Sequence, residues 1–312
     1  MPKLGYLLPT RERIMEDLPE TGPMLDLATR AEALGYDSIW VGDSLLARPR
    51  HEPITLLAGV AGRVARLKLG TAVLLPALRN PVLLAHQIAT LDQVSEGRVI
   101  LGVGIAADVP NIRAEFAAAG VPFEKRVGRM LEGLRLCKAL WRGEPVDWDG
   151  RWTVQGGVLG PVPFQPGGPP MWYGSLAAAG LARTARHFDG WFPTGPDADG
   201  YARHLRDVRR MASEAGRDGQ AVTAAIYVTV ALDEDAARAE QRIDDFLQSY
   251  YGVPAHVMRA RQACFAGPEA ALGEWLDAYA RAGAEHIMLR FAGSHEQQLE
   301  ACARVGRQLG WL

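Results

Sequence analysis

Asp43 closes the run Trp-Val-Gly-Asp-Ser and is followed closely by Arg48, Arg50, His51 and Glu52. A carboxylate at the end of an apolar run can orient a bound cofactor or, once enclosed, change its pKa and carry a proton. Asp43 and His51 are therefore the candidates for proton handling, although the same residue types also build ordinary solvated turns. A second group of residues is notable for being small. Thr71, Ala72 and Val73 end one apolar run, and Gly102, Gly104 and Ile105 end the next, so a flat ligand could approach the backbone there. In a third group, Tyr173-Gly174-Ser175 leads into a helical pattern from Leu176 to His187. Free amides at such a junction can hold a phosphate, while Ser175 could equally be a plain helix cap.

Other residues carry weaker signals. Arg79 and Asn80 could reach an anionic ligand or form a solvated loop before Pro81. His86 and His187 fall on helical patterns, where packing or surface roles are the ordinary ones, and Asp189 reads as a turn residue before Gly190-Trp191. The stretch Gly102-Val-Gly104-Ile-Ala-Ala107 imitates a dinucleotide fingerprint, but Asp108-Val-Pro110 interrupts the helix that should follow. There is no zinc-type spacing of His and Cys, no Gly-x-Ser-x-Gly and no Walker loop, so metal and acyl-serine chemistry have no support.

These groups must be positioned by a scaffold, and the chain supplies a repeated one. Eight short β-rich runs occur at Leu4–Leu8, Ser38–Val41, Leu67–Leu75, Val99–Ile105, Met171–Gly174, Gly190–Pro193, Ala224–Leu232 and His286–Phe291, with helical patterns between them. That alternation predicts parallel strands joined by crossover helices, a (β/α)8 TIM barrel of the α/β class whose strand ends share one rim. Met130, Leu134, Cys137 and Trp141 recur at helical spacing on one face, with Arg129, Glu132 and Arg135 opposite. Glycines at 35 and 283 predict helix ends that turn back into strands. Two segments break the rhythm: 143–170, rich in Gly and Pro with a possible hairpin, and 233–267, with two helical patterns. Neither has a core pattern of its own, so the expectation is one domain, 1–312, with two insertions.

Composition narrows the partners. The chain has 312 residues, 48% of them hydrophobic, and a formal charge of −2, so no basic field exists to hold nucleic acid or an anionic membrane surface. Its three cysteines are odd in number and scattered, which suits a reducing compartment. No apolar run approaches the roughly 18 residues of a membrane span, and no signal peptide is evident. The expectation is a cytoplasmic protein acting on a small molecule.

In order and spacing, Ala31-Glu-Ala-Leu-Gly-Tyr-Asp-Ser-Ile-Trp-Val-Gly-Asp43, Leu69-Gly-Thr-Ala-Val73, Asn80-Pro-Val82, Ala89-Thr-Leu-Asp-Gln93, Gly97-Arg98, Leu101-Gly-Val-Gly104, Gly120-Val-Pro-Phe-Glu124, Trp172-Tyr-Gly-Ser175 and Phe188-Asp-Gly-Trp191 resemble the bacterial luciferase-like family of flavin- or deazaflavin-dependent oxidoreductases. The resemblance implies a luciferase-like barrel, a homodimer, and a ring system over the strand ends. It also implies a non-proline cis peptide joining Ala72 and Val73, a phosphate contact at Gly174 and Ser175, and Asp43 beside the ring. Thr71, Ala72, Val73, Gly104 and Ile105 would shape the ring site. Two departures matter: Ser44 stands where several deazaflavin enzymes have His, and the arginine that luciferase places after its fourth strand is not evident in Gly104–Ala107. The first expectation is accordingly a monooxygenase using reduced FMN, supplied by a separate flavin reductase, and O2 on a small organic substrate. The alternatives are hydride transfer with coenzyme F420 and flavin binding without catalysis. A non-redox barrel enzyme would need a rim lysine or carboxylate pair, and of the few lysines only Lys68 lies near a strand.

Overall fold

A computed structural model describes all of residues 1–312. Eleven strands form: β1 Lys3–Leu7, β2 Ser38–Val41, β3 Lys68–Thr71, β4 Val99–Val103, β5 Val146–Asp149, β6 Thr153–Gly157, β7 Met171–Tyr173, β8 Gly190–Trp191, β9 Thr223–Leu232, β10 Ala263–Gly267 and β11 His286–Phe291. The order β11-β1-β2-β3-β4-β7-β8 closes through a β8–β9 pairing and a β9–β11 pairing. All of these ladders are parallel. The result is the closed eight-stranded barrel with outer helices that the alternation predicts.

Buried β-branched and aromatic residues make the barrel strands, and the helices cover them with apolar stripes. Met130, Leu134, Cys137 and Trp141 are all buried along and just beyond the helix Arg126–Leu140. Helix Gly22–Leu34 ends at Gly35 with φ 101, and Gly283, just past helix Glu269–Arg281, has φ 98. Both conformations are unfavourable for residues with a Cβ. Inside the barrel, Trp40, Trp172 and Phe192 pack as an aromatic plug, with ring centroids 4.9 to 5.8 Å apart. Gly70 is required there, since a Cβ on it would lie 2.1 Å from Trp40.

Three features differ from the sequence expectation. Glu132 is not on a free face: the β5–β6 hairpin of the 143–170 segment folds over it, and Glu132 accepts from the Arg151 amide at 2.6 Å and pairs with its guanidinium. The 233–267 segment contains helices Ala236–Tyr251 and Ala255–Arg259 and also a ninth parallel strand, β10. β10 pairs with the last half of β9, above the point where β8 stops, so it heightens the barrel wall at the strand-end rim. The sequence shows only two helical patterns in this segment, because a strand of five residues closed by Gly267 and Pro268 is too short to stand out. Several predicted runs also end early; in the run Leu67–Leu75, β3 stops at Thr71 and Leu74 contributes only an isolated bridge to Val103. No helix is long and apolar enough to cross a membrane.

Candidate active site

A cavity of about 690 Å³ opens at the carboxyl ends of the strands, within the roughly 300–1,000 Å³ common for small-ligand sites. Its apolar floor and walls come from Ala72, Val73, Leu75, Ile105, Ile112 and Phe192. Of the residues expected to form the site, Asp43, Ala72, Val73, Gly104, Ile105, Gly174 and Ser175 all line it. The Ala72–Val73 peptide bond is cis, as the family resemblance implies.

Asp43 lies in the cavity wall, but its carboxylate is fully engaged. Oδ2 accepts from the Leu75 amide at 2.8 Å and from Arg79 Nη1 at 2.5 Å, while Oδ1 accepts from Arg79 Nη2 at 3.0 Å. The Asp43 side chain is 1% exposed and Arg79 13%. A carboxylate gripped by a bidentate guanidinium and an amide has no freedom to turn toward a ligand. Asp43 is therefore a positioning residue that fixes the segment Ala72–Leu75 against the loop after β2. Arg79 serves the same end, and Asn80 caps helix Pro81–Val94 by accepting from the Val82 amide at 2.9 Å.

Two expected site residues stay outside the cavity. His51 turns away: its Nε2 donates to the Pro19 carbonyl at 2.7 Å, and Nδ1 lies 3.4 Å from the Thr10 carbonyl. It anchors a loop and does not face the ligand space, so the proton-handling expectation for His51 is corrected. Thr71 is buried, and its hydroxyl donates to the Gly102 carbonyl at 2.7 Å, bracing β3 on β4 behind the lip.

The glycines of the lip also have a different reason from the one expected. A Cβ on Gly104 would lie 2.6 Å from Val73 Cγ2, and one on Gly174 would lie 2.5 Å from the Phe192 carbonyl oxygen. They are small because protein packs on them, and the open surface facing a ligand is provided by Ala72, Ala106, Ala107 and Ala177. Ser175 is not the N-cap of the following helix, which runs Ala178–His187 from Ala177; its hydroxyl accepts from the Ala177 amide at 3.3 Å. The displacement leaves the amides of Gly174, Ser175 and Leu176 with no protein acceptor, at the positive end of a ten-residue helix. Unpaired amides in that setting suit a phosphate. An apolar, alanine-lined slot beside them suits a flat ring carrying a phosphorylated side chain, so the residues present fit a flavin or deazaflavin.

Sequence reasoning missed the far side of the cavity. Tyr227 from β9, Tyr250 and Tyr251 from the end of helix Ala236–Tyr251, and Arg261 before β10 all line it, together with Arg48 and Arg50. Glu115 lines it too, its Oε1 taken by the Ser44 hydroxyl at 2.8 Å and by the amides of Leu45, Leu46 and Ala47. The available signal was the amphipathic pattern of helix Ala236–Tyr251, whose apolar stripe runs out in two adjacent tyrosines before Gly252.

Comparison with known proteins places this geometry among relatives. The family model described as luciferase-like monooxygenase matches residues 2–310. The F420-dependent glucose-6-phosphate dehydrogenase of Mycolicibacterium smegmatis is 30% identical, the match covering 95% of this chain and 94% of that protein. A monooxygenase from Streptomyces bottropensis superposes with a TM-score of 0.79 at 24% identity, over 98% of each chain. An F420-dependent secondary alcohol dehydrogenase solved with an F420–acetone adduct superposes with a TM-score of 0.82 at 18% identity, also over 98% of each chain. At those identities the two structures are likenesses of fold.

Proposed function

Because this chain belongs to the luciferase-like monooxygenase family and is an oxidoreductase of that barrel type, we propose that it binds coenzyme F420 and exchanges a hydride with a small alcohol or carbonyl compound. This reverses the order of the two cofactors expected from sequence. The observation that carries it is the 30% identity to an F420-dependent dehydrogenase, sustained over 95% of this chain. When bound, the deazaflavin supplies a two-electron hydride acceptor or donor that reacts poorly with oxygen.

The chain's own residues would do the rest. The amides of Gly174–Leu176 would hold the phosphate, and the Ala72–Val73 lip, fixed through Asp43 and Arg79, would support one face of the ring. Phe192 and Ile105 would keep water from the reacting face. Tyr227, whose hydroxyl burial holds protonated far above neutrality, lines the cavity and would donate a hydrogen bond to the substrate oxygen. The decisive experiment is anaerobic incubation of the purified protein with oxidised F420 and a panel of alcohols, following loss of the deazaflavin absorbance. Turnover without oxygen supports the reading; turnover only with reduced FMN and oxygen overturns it.

One observation favours the FMN reading as the second. Ser44 stands where an imidazole would be expected in several deazaflavin enzymes, and its hydroxyl is committed to Glu115, so it cannot act as acid or base. Under that reading a separate flavin reductase would supply the reduced cofactor.

A further inference from the structure

The ionic groups of the cavity are unequally satisfied. Its two carboxylates, Asp43 and Glu115, are engaged as described, whereas its three guanidinium groups, Arg48, Arg50 and Arg261, have no carboxylate within ion-pair distance. Arg50 donates through Nε only to the Arg48 carbonyl, at 3.2 Å. Two of the cations rest instead on aromatic faces: Arg48 lies 4.9 Å from the Tyr251 ring centroid and Arg50 5.8 Å from that of Tyr250. Two more arginines back the same tyrosines. Arg290, fully buried, is bonded only to neutral groups, Thr229, Tyr251 and Gln262. Arg11, 5.0 Å from the Tyr250 ring, has buried Nε and Nη1 atoms without a partner. Besides Glu115, which is committed to the 44–47 backbone, one buried carboxylate, Glu12, acts on these cations, set against Arg11, Arg50 and Arg290 together. Gathering like charges around neutral rings is unfavourable unless an anion joins them.

The cluster also has a definite place. It is carried by the loop after β2 and by the chain between β9 and β10; the unpaired amides follow β7, which lies three strands from β2 and, through β8, two from β9. One cavity thus offers two anion-attracting regions of different construction, with the Ala72–Val73 lip between the β2 loop and the amides in strand order; Arg261 lies on the other arc, its carbonyl accepting from the Thr194 hydroxyl after β8 at 3.3 Å.

We propose that Arg48, Arg50 and Arg261 form a substrate subsite for a small organic anion, a carboxylate or a phosphate ester, whose alcohol or carbonyl end reaches the lip. Calling that anion the substrate rests on the hydride-transfer reading; the existence of the site does not. The substrate class is then hydroxy or oxo compounds bearing one acidic group, and neutral alcohols of equal size are poor substrates.

The test begins without cofactor. The protein is titrated with inorganic phosphate and, separately, with acetate, chloride being adjusted to hold ionic strength constant, and binding is read by calorimetry. Saturable one-site binding of at least one probe is expected, and whichever binds more tightly identifies the acidic group. Arg50→Gln and the exposed Arg261→Gln should each weaken it tenfold or more, as loss of a charge-assisted hydrogen bond does, and Arg50→Lys should restore part of the affinity. Arg135→Gln, in a separate cavity, should leave it unchanged. Absence of saturable binding by both probes, or equal affinity in folded Arg261→Gln, overturns the proposal. So does competition of phosphate with F420 but not with the deazaflavin lacking its phosphate tail, since the arginines would then serve the cofactor. A protein that binds phosphate through these arginines yet binds no deazaflavin keeps the subsite and refutes the cofactor reading instead.

Discussion

Replacing Asp43 probes the joint on which the ring lip depends. Three hydrogen bonds end on its carboxylate, two of them from Arg79, in a pair whose members are 1% and 13% exposed. In Asp43→Ala the Leu75 amide loses its partner, and Arg79 retains Glu52, at 3.2 Å and 44% exposed, and a long contact of 3.5 Å to the Leu75 carbonyl. Stranding one member of a buried ion pair costs about 3–5 kcal/mol; the residual contact to Glu52 places the expected loss near the lower end, about 3 kcal/mol. Asp43→Asn keeps the shape and one acceptor, and should cost about 1.5–2 kcal/mol. With 312 residues and an unfolding entropy of about 2 cal/mol/K per residue, 3 kcal/mol corresponds to a drop of roughly 5 °C in Tm. The assay is urea or thermal unfolding of Asp43→Ala, Arg79→Met and the double variant. A coupling energy of about 1–3 kcal/mol between the two sites is expected. Strict additivity, or a loss below about 0.5 kcal/mol for Asp43→Ala, would refute the view that this pair holds the lip.

Acid should weaken the fold through two histidines. Burial lowers the His286 pKa to about 3, with help from Lys3, and that of His295 to about 4. Both rings are neutral in the native state while the unfolded chain takes up protons near pH 6.5, so their contribution is complete above that value and declines as pH falls. From pH 6.5 to 5 the loss should be about 1.6 kcal/mol per ring, measurable as a falling urea midpoint that His286→Gln flattens. Glu115→Ala frees the amides of Leu45, Leu46 and Ala47; limited proteolysis should then cut the 44–50 loop at least several-fold faster, and an unchanged rate would contradict its bracing role. Gly102→Ala and Gly104→Ala should differ sharply. The first drives a Cβ to 2.0 Å from the Thr71 carbonyl oxygen and should abolish soluble folded protein, whereas the second meets only a Val73 methyl and should fold with weakened ring binding. Equal yields of the two would contradict the packing described.

The barrel was legible because its signals are local. Alternating β runs and helical stripes give each crossover, and Gly35 and Gly283 punctuate the returns to strand. The cavity walls at Ala72–Val73, Gly104–Ile105 and Gly174–Ser175 were legible for the same reason, since each pair closely follows a strand. What the chain hides is convergence. Nothing near Tyr250 or Arg261 in sequence says that a helix end and a ninth strand will bring them to the loop holding Arg48 and Arg50. His51 misled for the converse reason, since being next to the site in sequence says nothing about which carbonyls its ring will meet. Asp43 lines the cavity, but its partner Arg79 decides what it does, and that pairing is made only by closing the barrel.

The most direct measurement of the central claim is a side-by-side equilibrium titration of the purified protein with F420 and with FMN, read by quenching of cofactor fluorescence. F420 should bind saturably and at least tenfold more tightly than FMN, with an affinity lowered by Gly104→Ala. Saturable binding of FMN with none of F420, or binding of neither ring, would contradict it.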